Sequence, residues 1–213
     1  MGDTSFFPAW ANRLNPMGSR TTPVLRVVGA FTLCRLEACF SPWMPTDLFP
    51  KAVAGTNSRD HDYTRWRTFW CMLWQALNPL ASGREVVRQL QALFDLEKGP
   101  QLSPEDGAYC RGKARLPLDP FPKALSATAQ HADHLSPPRV LLGGRTVKVA
   151  DGSALTMADT PKNQKRYPQP STQKRGCGFP VMKLAVLFSL TSGAVARVLT
   201  GSLRHHDLRL LRG

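Results

Sequence analysis

The chain has 213 residues, 28 Lys and Arg against 15 Asp and Glu, and a formal charge of +13, enough length for one large domain or two small ones with a real core. Its longest apolar stretches exclude a membrane span: residues 24–40 are broken by Arg26, Arg35 and Glu37, and residues 181–190 are short and carry Lys183. Cys34, Cys39, Cys71, Cys110 and Cys177 form no CxxC pair or metal-ligand spacing, and Met1-Gly-Asp-Thr does not open a secretory signal, so a soluble, cytoplasmic protein with reduced, mostly buried thiols is expected.

Residues 1–45 read as an irregular arm, with Phe6, Phe7, Trp10 and Trp43 scattered among Pro8, Pro16, Pro23 and Pro42, and room for one short helix in 24–40. Residues 46–138 read as a helical domain. Trp66, Phe69, Trp70, Leu73, Trp74 and Leu77 recur at three- and four-residue spacing, which predicts a helix with one broad apolar face. Those rings suit a helical core better than a base-stacking platform. After Pro79 and Gly83, Val86, Val87, Leu90, Leu93 and Phe94 mark the buried side of a second helix. Ser103-Pro104-Glu105-Asp106 predicts the start of a third, with serine as N-cap and proline in the first turn. Its Arg111, Lys113 and Arg115 make Arg111 and Arg115 candidates for contact with a DNA duplex. A short helical stretch at 123–135 follows among prolines, and Pro137-Pro138 reads as a rigid joint and domain boundary.

Beyond that joint the pattern changes to strands. Residues 140–144 and 146–150 flank a Gly-Gly turn, and residues 180–190 and 194–200 flank Thr191-Ser192-Gly193 as a hairpin. Asp207-Leu-Arg-Leu-Leu reads as the beginning of a helix. This segment also holds the charge: residues 139–213 contain 13 basic and 3 acidic side chains, whereas residues 1–138 contain 15 and 12. A stretch so basic repels itself unless it faces a polyanion, and nucleic acid is the natural one, ahead of anionic lipid or a merely solubilising surface.

Asp151 stands where the strand pattern Thr146-Val147-Lys148-Val149-Ala150 gives way to Gly152-Ser153, so its carboxylate is expected at the rim of a sheet. An Asx-turn is the plainer alternative. The next residues are more particular. Asp151-Gly-Ser is followed by Met157-Ala-Asp-Thr-Pro-Lys-Asn163, Tyr167-Pro-Gln-Pro170 and Gly176-Cys-Gly-Phe-Pro180, ahead of a long apolar hairpin. Upstream stand Thr68-Phe-Trp, Gln75-Ala-Leu, Arg84-Glu-Val-Val-Arg, Ala108-Tyr-Cys and Ala114-Arg-Leu-Pro. Over roughly residues 64 to 212 the chain resembles DDE transposases of the insertion sequence 4 family.

The resemblance implies an α+β protein: an N-terminal helical region followed by the first strands of a ribonuclease H-like domain over residues 139–213, incomplete in this chain. It implies DNA-mediated transposition, with double-stranded DNA at the element ends as partner and self-association as a further one. In such enzymes three carboxylates hold two divalent ions, Mg²⁺ by its hard oxygen ligands, for strand cleavage and transfer. Asp151 would be the first catalytic, metal-binding carboxylate, and Asp159 would shape the loop. The second and third carboxylates are expected beyond Gly213, so a truncated, inactive product is expected. The rival reading is a non-catalytic DNA-binding protein or an inhibitor. Lys162, Lys165, Arg166, Lys174 and Arg175 are the candidate phosphate contacts, and Tyr167 a stacking or wedging ring.

Overall fold

The spacing of large apolar residues produces the first of two structural units. The computed structural model describes residues 31–50, 62–99, 101–136, 142–174 and 176–204. It divides at Pro117, with residues 43–48 joining the later unit. Among the described residues six α-helices and a three-stranded antiparallel sheet make the protein mixed α+β.

The helical unit holds α1 (Leu33–Phe40), α2 (Arg65–Leu77), α3 (Gly83–Leu96) and α4 (Gly107–Arg115). Three of the four begin on a side-chain cap: Thr32, Thr64 and Ser82 accept from the N–H of Arg35, Arg67 and Glu85 at 3.3, 3.2 and 3.2 Å. Leu33, Leu36, Trp70, Val86, Val87, Leu90 and Tyr109 are fully buried and form the core. The ring polar groups are mostly satisfied: Trp74 Nε1 donates to Phe31 O at 2.8 Å, Trp66 Nε1 to Glu37 Oε1 at 2.6 Å, and Tyr109 Oη to Gln75 Oε1 at 2.8 Å. The tryptophan stripe is therefore core, as its spacing indicates. Gly112 is buried where α4 meets α2, and a Cβ there would lie 3.1 Å from Thr68 Oγ1, so the close approach of the two helices depends on the missing side chain.

Two expectations change here. Residues 31–42 are not arm: α1 packs Leu33 and Leu36 against α2 and α3, while residues 1–30 lie outside the described residues. The fourth helix starts at Gly107 rather than behind Ser103. The Ser103 hydroxyl accepts instead from Glu105 N, two residues on, closing a local turn, and Glu105 pairs with Arg84 at 3.1 Å.

The sheet unit runs α5 (Pro120–His134), β1 (Lys148–Thr156), α6 (Pro161–Arg166), β2 (Val181–Ser189) and β3 (Val195–Ser202). The strands form a meander in the order β1-β2-β3, with Lys148 opposite Ser189, Asp151 opposite Val186 and Thr156 opposite Val181. Val186 in turn faces Val198, and a bulge at Leu187/Phe188 shifts the far end of β3. α5 packs on β3, so it belongs with the sheet and not with the helical region to which Pro137-Pro138 would assign it. Asp133 near its C-terminus accepts from Lys148 Nζ and, at 2.6 Å, from the Ser192 hydroxyl in the β2–β3 loop. Burial disfavours its charge, but hydrogen bonds from Lys148, Ser189 and Ser192, together with the lysine charge, outweigh this and hold the carboxyl below its ordinary range.

Ahead of β1, Leu142 and Arg145 bridge across Gly143 and Gly144, whose φ of 57° and 77° suit the predicted Gly-Gly turn. Residues 140 and 141 of the predicted first strand lie outside the described residues. No helix among the described residues is long and apolar enough to cross a membrane. Of the five cysteines only Cys71 is buried, and burial pushes its thiol up to about 12; the other four are free and exposed, against the expectation that most would be buried.

Candidate functional site

Asp151 does not stand where β1 ends. The strand continues through Gly152 and Ser153 to Thr156, because the nine-residue apolar β2 offers an unbroken ladder to pair with. The carboxylate is exposed, and among the described residues its Oδ1 accepts only from the adjacent Gly152 N at 2.8 Å, so it closes no Asx-turn. Strand alternation sets Val149, Asp151, Ser153 and Leu155 on one face, in register with Phe188, Val186, Leu184 and Met182. Lys148 lies on the opposite face, and its bond to Asp133 marks that side as the one α5 approaches.

The segment between β1 and β2 is built, not slack. Met157 N donates to Pro180 O at 2.8 Å and extends the ladder by one step. Thr160 caps the short α6 through Asn163 N at 3.2 Å, with Pro161 in its first turn. Gln164 Nε2 donates to Asp159 Oδ1 at 2.8 Å and to Gly178 O at 3.0 Å, while its Oε1 accepts from Gln169 N at 3.2 Å. Gln169 Nε2 donates to Gln173 O and Lys174 O, and its Oε1 accepts from Gly176 N and Gly178 N. Two neutral amides thus gather the loop from Asp159 to Gly178, and Asp159 shapes it as expected.

This loop presents Lys162, Lys165, Arg166 and Lys174 to solvent. Arg175 lies outside the described residues. None of Lys162, Lys165, Arg166 and Lys174 forms an ion pair among the described residues; Arg166 only overhangs the Tyr167 ring at 5.4 Å. Tyr167 itself is 8% exposed, so its ring is not offered to a base, against the expectation of stacking. Its hydroxyl lies 3.5 Å from Thr200 Oγ1 instead. Thr200 shares a cross-strand row with Leu184 and Ser153, so Tyr167 anchors the loop to the sheet face that carries Asp151. A tyrosine among cations and prolines looks exposed in sequence; only the loop's return over the sheet buries it. Arg111 and Arg115 are exposed on α4 in the helical unit, with Arg115 Nε bonded to Arg111 O at 3.2 Å.

No group of three or more His, Cys, Asp or Glu among the described residues is placed to hold a metal ion. Asp151 alone is a hard oxygen donor of the kind Mg²⁺ takes, but one carboxylate does not assemble a two-metal centre, so no chemical step is assigned to a metal here. Compared with protein-family models, with curated proteins and with solved structures, the chain matches none.

Proposed function

We propose that this chain carries the helical region and the opening strands of a ribonuclease H-like domain from a DDE transposase of the insertion sequence 4 family, working on double-stranded DNA at element ends in the cytoplasm. The observation that carries this reading is an exposed strand carboxylate, Asp151, on the sheet face to which a loop is anchored whose cations make no ion pair among the described residues. Cations left without carboxylates are available to phosphate oxygens, and the amide network holds their main chain in place before any ligand arrives. The lone carboxylate supports a second reading alongside it: a non-catalytic protein or inhibitor that binds element ends without cutting them.

Binding measured against salt tests the DNA arm of both readings. Each phosphate neutralised adds about −0.9 to the log–log slope. Replacing Lys162, Lys165, Arg166, Lys174 and Arg175 by alanine is expected to flatten the slope and weaken binding on every duplex. Unchanged binding at all salt concentrations would reduce the loop to a solvated surface. With Mg²⁺ or Mn²⁺ the 213-residue chain is expected to bind such DNA without nicking or joining it. Metal-dependent cleavage that vanishes in Asp151→Ala would instead make the chain an enzyme as it stands.

A further inference from the structure

Tyr167-Pro168-Gln169-Pro170 sets one amide in a backbone with little freedom. Pro168 and Pro170 fix their own φ, and each holds the residue before it extended, so the main chain at Gln169 has few alternatives. An amide offers two hydrogens and one oxygen able to accept twice. Gln169 uses all four on main chain: Nε2 donates to Gln173 O at 3.2 Å and Lys174 O at 2.8 Å, and Oε1 accepts from Gly176 N at 3.0 Å and Gly178 N at 3.3 Å. Its own N–H donates to Gln164 Oε1 at 3.2 Å, and Gln164 stands on α6 between Lys162 and Lys165. The base of the loop is closed without it, through Met157 N to Pro180 O and Gln164 Nε2 to Gly178 O. The Gln169 bonds instead tie the helix that bears Lys162, Lys165 and Arg166 to the returning limb that bears Lys174. The fit is close: a Cβ at Gly178 would lie 3.1 Å from both Cβ and Nε2 of Gln169.

We propose that Gln169 is a positioning residue for duplex DNA, holding the α6 cations and Lys174 at a fixed spacing so that the loop prefers a rigid row of phosphates to a flexible polyanion. The inference rests on the reading of this loop as a duplex contact. Lys162, Lys165, Arg166 and Lys174 keep long, mobile side chains, but their main chain is already ordered and costs a ligand nothing to fix. Duplex phosphates recur at set intervals and cannot follow a loop that moves. A flexible polyanion can fold around cations in any arrangement. Gln169 carries no charge, and both its hydrogens are taken by carbonyls, so it acts through the cations alone.

Gln169→Met keeps length and charge and removes all four side-chain bonds, and two measurements on the full chain read the result. In amide hydrogen exchange without DNA, Gly176 and Gly178 are expected to exchange about tenfold faster in the variant, with Val86 and Leu90 of the helical core unmoved. In a salt series, affinity for duplex DNA is expected to fall about tenfold. The slope should stay that of the parent because every cation remains, unlike the five-residue alanine chain, which flattens it. Binding to inorganic polyphosphate, the flexible polyanion, is expected to be unchanged. Gly178→Ala displaces the same amide from the other side and is expected to behave like Gln169→Met, a second route if either folds poorly. Unchanged exchange at Gly176 and Gly178, unchanged duplex affinity, or an equal loss for polyphosphate would overturn the positioning role and leave the DNA reading standing. A parent chain without salt-dependent duplex binding would overturn both.

Discussion

The helical unit and the sheet unit divide the molecule's chemistry unequally. In the helical unit the aromatic and aliphatic core is dense: Trp70, Tyr109, Leu33, Leu36 and Leu90 are fully buried, although Leu80, past the end of α2, and Leu96, at the end of α3, stand exposed. Arg84 and Arg88 there are paired with Glu105 and Glu85, and Arg67 lies over the Phe94 ring. The sheet unit buries mainly small residues, Ala124, Ala129 and Ala185, with Leu48 and Tyr167. It leaves Leu155, Phe179, Val195 and Val198 exposed, and among the described residues its loop lysines pair with no carboxylate. The contrast teaches where to look for partners: the first unit spends its large rings on a filled core, and the second holds loop charge and an apolar sheet face outward.

The sharpest way to break this comparison is to truncate each unit's most characteristic residue. Trp70→Ala is expected to cost about 3–5 kcal/mol in urea unfolding followed by circular dichroism, because it opens a cavity in a filled core. Val198→Thr, on the exposed sheet face, is expected to change stability by less than about 0.5 kcal/mol. Similar losses at both sites would mean that the sheet face is covered in solution.

Next in size is the tether between α5 and the sheet. Asp133→Ala leaves Lys148 and Ser192 without their acceptor and is expected to cost about 1.5–3 kcal/mol. The carboxyl's folded value is depressed, so its contribution is fully present above its unfolded value of about 3.9 and is lost as pH falls through the lower folded value. Asp133→Asn should therefore flatten the acid limb of a stability–pH curve. An acid limb identical to the parent's would show that the charge stabilises nothing.

The smallest effect is expected at Asp151. Its carboxylate makes one bond, to the neighbouring Gly152 N, so Asp151→Ala is expected to melt at or above the parent temperature. A clear fall with alanine but not with asparagine would make the residue structural. The two replacements together sharpen the contrast between side chains kept for the fold and side chains held outward.

Much of the helical unit was legible because its signals are local. The Trp66–Leu77 spacing, the Thr64 and Ser82 caps and the Gly-Gly turn before β1 each act within a few residues. The β2–β3 hairpin was legible for the same reason. What stayed hidden depends on distant partners. Ala-Asp-Gly-Ser is turn-like by composition, yet pairing with β2 draws it into a strand, since strand formation follows neighbours more than intrinsic preference. The attachment of α5 to the sheet rests on Asp133 meeting Ser192, far along the chain. At the candidate site, the loop's cations and Asp151 could be named from sequence, whereas the buried role of Tyr167 could not.

One side chain fastens the far half of the loop. The Gln169 amide gives hydrogens to two carbonyls on one side and takes them from two N–H groups on the other. Neither role depends on a net charge, so acidity and salt leave the scaffold alone while salt still weakens whatever anion it holds. Deamidation would exchange the –NH₂ for oxygen and turn a donor into a carboxylate facing the Gln173 and Lys174 carbonyls. The chain would keep its composition almost unchanged and lose the fastening.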